Sequence, residues 1–254
     1  MFNLLFSPLS QFEVYQLIGL DLSILGNIYL SLTNLSLYAI LVLLSVISLH
    51  FYANNDFNLV PNKGSIALET SFASLSSMVR NQIGGLNEAY MPFIYTLFFF
   101  VLFGNLISNI PYSFAISASA IVTLGLSLTI FLGVTILSLS KHGIKFFSFF
   151  IPGGTPLALV PLLVLIEFIS YLARAVSLGV RLFANICAGH SLLKILSTFL
   201  YKLFSGSVFI AILTLIPFTI FIGLIGLELA VSFIQSFVLN LLVCSYLKDA
   251  IDLH

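Results

Sequence analysis

Residues 157–204 read LALVPLLVLIEFISYLARAVSLGVRLFANICAGHSLLKILSTFLYKLF, 48 residues with a strongly apolar character. At about 1.5 Å per residue, a helix of that length is roughly 70 Å long, about twice the ~30 Å hydrocarbon thickness of a bilayer. One turn signal, Ser205-Gly206-Ser207, separates it from a second apolar stretch, residues 208–247. As a helix this second stretch is roughly 60 Å long. Either each segment is broken, with Pro217 the candidate break in the second, or both lie strongly tilted in the membrane plane. Polar residues inside the segments are hard to place in broken upright spans, which favours a tilted antiparallel hairpin over 157–204 and 208–247.

The rest of the chain supports a membrane setting. Of its 254 residues 60% are hydrophobic and 7% charged, with no net charge. A soluble domain carries about 25% charged residues, so an ordinary water-exposed surface is excluded. The stretch between Asp21 and Asp56 has no Asp, Glu, Lys or Arg, and neither has the stretch between Glu88 and Lys141. The first holds one span at 24–52, ended by His50 and the cluster Ala53-Asn54-Asn55-Asp56. The second is long enough for two, at 92–110 and 115–140, divided at Asn109-Ile110-Pro111, where proline interrupts helical geometry. A loop with Lys141, His142 and Lys145 follows, then the turn-rich Ile151-Pro152-Gly153-Gly154-Thr155-Pro156.

Between the first two spans, Leu68, Phe72, Leu75, Val79 and Ile83 recur every three or four residues, while Glu69, Ser74, Ser77, Arg80 and Asn81 take other faces. That pattern predicts an amphipathic helix over 63–84 lying in the interface, ended by Gly84-Gly85. Residues 1–23 read as an N-terminal extension at one membrane surface. Met1 to Leu20 carries Glu13 and no Lys or Arg, so it lacks the basic start of a secretory signal. The expected fold is a single membrane domain over 1–254. It is an all-α integral membrane protein with about three transmembrane helices, an interfacial amphipathic helix and a long tilted hairpin at the C-terminal end.

Nine Lys and Arg residues, scattered along the chain, make no basic patch for nucleic acid. Cys187 and Cys244 lie in apolar helical sequence without metal or redox spacing and read as small core residues. With no tryptophan in the chain, Tyr and Phe supply any interfacial anchoring.

The chemistry concentrates in the two long segments. The first contains Glu167, Arg174, Arg181, Asn185, His190, Lys194 and Lys202, and the second Glu228, Gln235 and Asn240. Ionisable groups at membrane depth cost several kcal/mol and mark functional pathways by default. Glu167, Arg174 and Arg181 are spaced by seven, about two turns each, so they share one helix face, which Asn185 extends. Glu228 and Gln235 are likewise seven apart. Two polar stripes on two apolar helices make a line of proton stations. Lys194 and Lys202 can instead snorkel to an interface, and Glu167 near its helix start can favour the positive helix end. A secondary transporter would show internal repeats and paired broken helices, whereas the two halves here are unlike. A haem subunit would need facing histidines, but His50, His142, His190 and His254 fall in different regions.

The run Ser170-Tyr-Leu-Ala-Arg174-Ala-Val-Ser-Leu-Gly-Val-Arg181-Leu-Phe-Ala-Asn185-Ile-Cys-Ala-Gly-His190 carries a resemblance. With it go Gly226-Leu-Glu228-Leu-Ala-Val-Ser-Phe-Ile-Gln235 and the ending Tyr246-Leu-Lys-Asp249-Ala-Ile-Asp-Leu-His254. Together they resemble the subunit a family of F-type ATP synthases, and Ser7-Pro-Leu-Ser-Gln-Phe-Glu13 is similar to the form encoded in fungal mitochondria. The resemblance implies a stator proton-channel subunit of the Fo sector in the mitochondrial inner membrane. Such a chain is not itself an enzyme and has no catalytic residues, no cofactor and no metal. Its implied partners are the c-ring, other Fo stator and peripheral-stalk subunits, and the lipid bilayer. Arg181 would take the place of the essential arginine facing the c-ring carboxylates. His190 and Glu228 would line the half-channel from the proton-rich side, with Asn185 and Gln235 as polar neighbours. Glu167 would belong to the other half-channel, with Asp249 near its mouth, and Arg174 shares the face of Glu167 and Arg181. Bacterial relatives exchange the histidine and the glutamate between their two places, so the arrangement here fits a mitochondrial protein.

Overall fold

A computed structural model describes residues 8–22, 28–53, 61–111, 113–151, 159–206 and 213–251. Helix α1 (Asn34–Ala53) starts where Thr33 and Ser36 cap it reciprocally. The Thr33 amide donates to Ser36 Oγ at 3.0 Å and the Ser36 amide to Thr33 Oγ1 at 3.3 Å, satisfying donors that the first turn leaves open. The expected start of this span at residue 24 is therefore corrected. Residues 28–33 alternate apolar Ile28, Leu30 and Leu32 with Tyr29, Ser31 and Thr33, a strand period and not a helix period. They form β2 (Ile28–Thr33), antiparallel to β1 (Gln16–Leu22), with Gly19 opposite Ser31. An isolated hairpin is marginal, and Asn34 ties this one down. Its Oδ1 accepts from the Tyr15 amide at 3.2 Å, and its Nδ2 donates to the Glu13 carbonyl at 3.1 Å.

Helix α2 (Lys63–Ile83) buries Leu75, Met78, Val79 and Ile83 along one face. It ends at Gly84, whose φ of 91° a side chain would strain. Helix α3 spans Met91–Ser108. A short 3-10 turn, Ile116–Ala118, precedes α4 (Ala120–His142), so this span begins at 120, five residues later than expected. Lys141 and His142 sit in its last turn rather than in a loop, and Gly143–Phe150 continues as a 3-10 segment. Lys141 Nζ lies 3.4 Å and His142 Nε2 3.1 Å from the carbonyl of Ile251, the last residue of the final helix, where basic groups complement the terminal carbonyls.

Helix α5 runs unbroken over Val160–Phe204, 45 residues, and α6 over Leu215–Ile251, 37 residues. At 1.5 Å per residue they are about 68 and 56 Å long. Pro217 does not break α6: it is the third residue, in the first turn, where no intrahelical partner for its nitrogen is needed. Pro92 and Pro161 take the second positions of α3 and α5 for the same reason. The cluster Asn54-Asn55-Asp56, the turn 152–156, residues 157–158 and 207–212, Ser7 and the end 252–254 lie outside the described residues.

Among the described residues, five stretches are long and apolar enough to cross a membrane: Asn34–Ala53, Glu88–Ser108, Ala120–Phe150, Val160–Phe204 and Leu215–Ile251. Large apolar side chains on them are exposed, such as Ile121 at 85% and Ile136 at 64%, which water would penalise and lipid does not. One short hairpin aside, the protein is an all-α, multi-pass membrane protein.

The chain divides into two compact units, and α3, α5 and α6 each contribute to both. The first comprises Met1–Phe51, Phe100–Ser119 and Phe183–Gln235. In it Ala115, Ala118 and Ile186 form a buried cluster against which Phe12 packs. The second comprises Tyr52–Phe99, Ala120–Leu182 and Ser236–His254. There Phe131, Phe146, Phe149 and Phe150 surround the Tyr171 ring at centroid distances of 4.7 to 6.4 Å. Gly179 of α5 lies directly against α4: a Cβ there would meet the Thr123 carbonyl oxygen at 2.9 Å and Leu124 Cα at 3.1 Å. Small residues permit such close helix approach in membranes.

Candidate functional site

In the first unit, α5 presents His190 and α6 presents Glu228, and the two meet. His190 Nε2 is 3.6 Å from Glu228 Oε1 and 3.4 Å from Ser108 Oγ on α3. Glu228 is 7% exposed and its Oε1 has no hydrogen-bond partner among the described residues. Gly189 makes the approach possible, since a Cβ there would lie 2.8 Å from that same oxygen. Phe12 packs edge-on against the His190 ring, with centroids 6.4 Å apart. One turn away from His190, Asn185 Nδ2 donates to Gln235 Oε1 at 2.9 Å. Lys194 Nζ is 3.4 Å from Ser10 Oγ.

Polar groups not singled out from the sequence complete this cluster. Asn109 Nδ2 donates to Ser232 Oγ at 2.9 Å, and Ser232 Oγ donates to the Glu228 carbonyl at 2.9 Å. Ser117 donates to Asn105 Oδ1 at 2.6 Å, and Ser108 to the Asn105 carbonyl at 2.6 Å. Asn105, Ser108 and Ser232 are all 0 to 1% exposed. The available signal was Asn105 itself, an amide in the otherwise apolar run Phe98–Ile107. A histidine and a carboxylate in such a polar, partly unsatisfied setting can pass a proton directly or through one water.

In the second unit, Arg174 holds two acids. Its guanidinium is 3.0 Å from Asp249 Oδ2 on α6 and 3.5 Å from Glu167 Oε1, two turns back on its own helix. Tyr246 hydroxyl lies 3.4 Å from the Arg174 carbonyl. All three charged side chains are about one-third exposed, so the pairs are solvent-accessible and of modest strength. Arg181 is exposed and has no hydrogen bond or ion pair among the described residues. It lines an open groove of about 470 Å³ shared with Arg174, Ser177, Ser245, Tyr246 and Asp249. Thus the sequence stripe Glu167-Arg174-Arg181 resolves into two neutralised members and one uncompensated cation.

Asn240 is fully buried and donates to the Ser236 carbonyl at 2.8 Å. Cys244 is fully buried as expected, while Cys187 is only partly so. Among the described residues no group of three or more His, Cys, Asp or Glu could hold a metal ion.

The family model described as ATP synthase A chain matches residues 35–248. The chain belongs to the ATP synthase A chain family. That family supplies a membrane, ion-translocating chain of the synthase and not a catalytic one. Proteins named ATP synthase subunit a are similar to this member over nearly its whole length. The one from Mycosarcoma maydis is 61% identical over 251 residues, covering 99% of both chains. The one from Emericella nidulans is 50% identical, covering 100% of this chain and 99% of its own. The one from Saccharomyces cerevisiae is 46% identical and covers 100% of both.

Proposed function

We propose that this chain is the stator proton channel of the Fo sector in the mitochondrial inner membrane, loading and unloading protons on the carboxylates of a rotating c-ring. The observation that carries this reading is Arg181. It is exposed on an apolar helix and unpaired among the described residues, while Glu167, Asp249 and Glu228 each have a basic neighbour. An arginine at membrane depth needs a counter-charge, and a carboxylate from another subunit supplies it.

The steps follow from the charges. A proton enters past Glu228 and His190, with Asn185 and Gln235 beside the path, and neutralises a rotor carboxylate. The neutral acid turns into lipid without the cost of burying a charge. After nearly a full turn it reaches the groove bordered by Arg174 and Asp249, with Glu167 on the same cluster, and releases its proton. The positively charged guanidinium of Arg181 holds the facing carboxylate ionised and blocks a direct leak from one polar site to the other. Each charge crossing 100 mV supplies about 2.3 kcal/mol, enough to bias thermal rotation. Fungal relatives named as subunit a support the mitochondrial placement.

The test is Arg181→Ala in the whole complex reconstituted into vesicles. Proton-driven ATP synthesis should vanish, with the complex still assembled. Coupled synthesis at the wild-type rate would overturn the reading.

A further inference from the structure

The buried face of α4 carries Thr123, Ser127, Ile130, Val134 and Ser138. Hydroxyls on this helix turn back onto their own backbone. Thr123 donates to the Ala120 carbonyl at 3.3 Å, Ser127 to Leu124 at 3.0 Å, and Thr135 to Phe131 at 2.8 Å. Such back-bonding is the usual way a helix satisfies a hydroxyl in apolar surroundings. Ser138 departs from it. The residue is 1% exposed, and its Oγ is buried with no hydrogen-bond partner among the described residues.

Ser138 lines a small cavity together with Phe131, Tyr171, Arg174, Tyr246 and Asp249. The free volume is about 20 Å³, enough to admit a water molecule. A dry void of this size would be expected where every wall is apolar. Most of this wall is apolar, but the residues lining it include the unsatisfied Ser138, two tyrosines and an ion pair whose members are 3.0 Å apart. Arg174, Tyr246 and Asp249 line both this cavity and the open groove.

We propose that the cavity is a binding site for one water molecule, held by Ser138 Oγ and by the polar groups of Tyr171, Arg174, Tyr246 and Asp249. Ser138 is then a positioning residue: through this water it keeps the Arg174–Asp249 pair hydrogen-bonded on its inner side as well as in the groove. The site is independent of whether protons pass the groove, because it rests on the unsatisfied hydroxyl, the free volume and the residues around it.

The experiment is an electron cryomicroscopy map of the intact complex, at a resolution where ordered waters are visible elsewhere in the chain. Density within hydrogen-bonding distance of Ser138 Oγ is expected, and in Ser138→Ala that density should be lost. A cavity without density in such a map, or density unchanged in Ser138→Ala, would overturn the proposal. If the variant does not assemble, the wild-type map alone decides.

Discussion

Gly189→Ala changes one methyl group, yet it strikes the His190–Glu228 contact on which the proposed proton entry depends. The added Cβ would lie 2.8 Å from Glu228 Oε1, against an ordinary contact of 3.4 Å or more, with Cδ and Cγ at 3.3 and 3.5 Å. The obstructing atoms are the far end of a flexible side chain, so the backbone can stay and the carboxylate moves. Clearing the methyl requires a shift of about 0.6 Å, and a shift directly away from His190 lengthens the His190–Glu228 distance from 3.6 Å to at most about 4.2 Å. A misplacement of 1 Å in a reacting constellation can cost about 10²-fold. A shift of about 0.6 Å then predicts roughly a tenfold loss. The assay is potential-driven proton uptake into vesicles carrying the reconstituted complex, with the amount of assembled complex measured on native gels. The reasoning fails if flux per assembled complex equals that of wild type, or if flux is lost only in proportion to lost assembly.

Gly179→Ala should give the opposite phenotype. Its Cβ meets the Thr123 carbonyl at 2.9 Å and Leu124 Cα at 3.1 Å, which are backbone atoms, so α4 and α5 must separate at a cost of about 1–3 kcal/mol. Less assembled complex is expected, with flux per complex retained, and native gels normalised to flux separate the two. Asn185→Leu removes the donor to Gln235 Oε1 and leaves a side chain only 5% exposed without that partner, a penalty of about 1–3 kcal/mol. Adding Gln235→Leu should recover much of the lost thermal stability and none of the flux. Additive stability losses in this double-mutant cycle would show that the pair is not coupled.

Scarcity made much of the site legible. In a chain with 7% charged residues, Arg181, His190 and Glu228 stand out inside apolar runs because lipid tolerates them only for a reason. The sevenfold spacing of Glu167, Arg174 and Arg181 placed them on one face. It could not tell that Arg174 also reaches Asp249, 75 residues on, or that Arg181 is left unmatched. Those outcomes depend on how α5 and α6 pack.

Asn105, Ser108, Asn109 and Ser232 were illegible for a different reason. Hydroxyls and amides occur throughout these helices, and most bond to their own backbone, as Ser45, Thr96 and Ser191 do. Only packing reveals which of them turn toward His190 and Glu228. The hairpin before α1 was missed because 28–33 is apolar enough to read as part of a span. The reciprocal cap of Thr33 and Ser36, and the alternation of Ile28, Leu30 and Leu32, were both in the sequence and outweigh composition. The long helices were readable by length, and Pro217 proved harmless because a first-turn proline gives up no hydrogen bond.

The central claim is that Arg181 faces a carboxylate on a rotating partner. An electron cryomicroscopy map of the intact complex measures this directly, by identifying the acidic side chain nearest to the Arg181 guanidinium. The account predicts a carboxylate on a hairpin of a multi-copy ring packed against the exposed face of α5. Arg181 surrounded by acyl chains, or paired with an acid of its own chain or of a fixed neighbour, would contradict it.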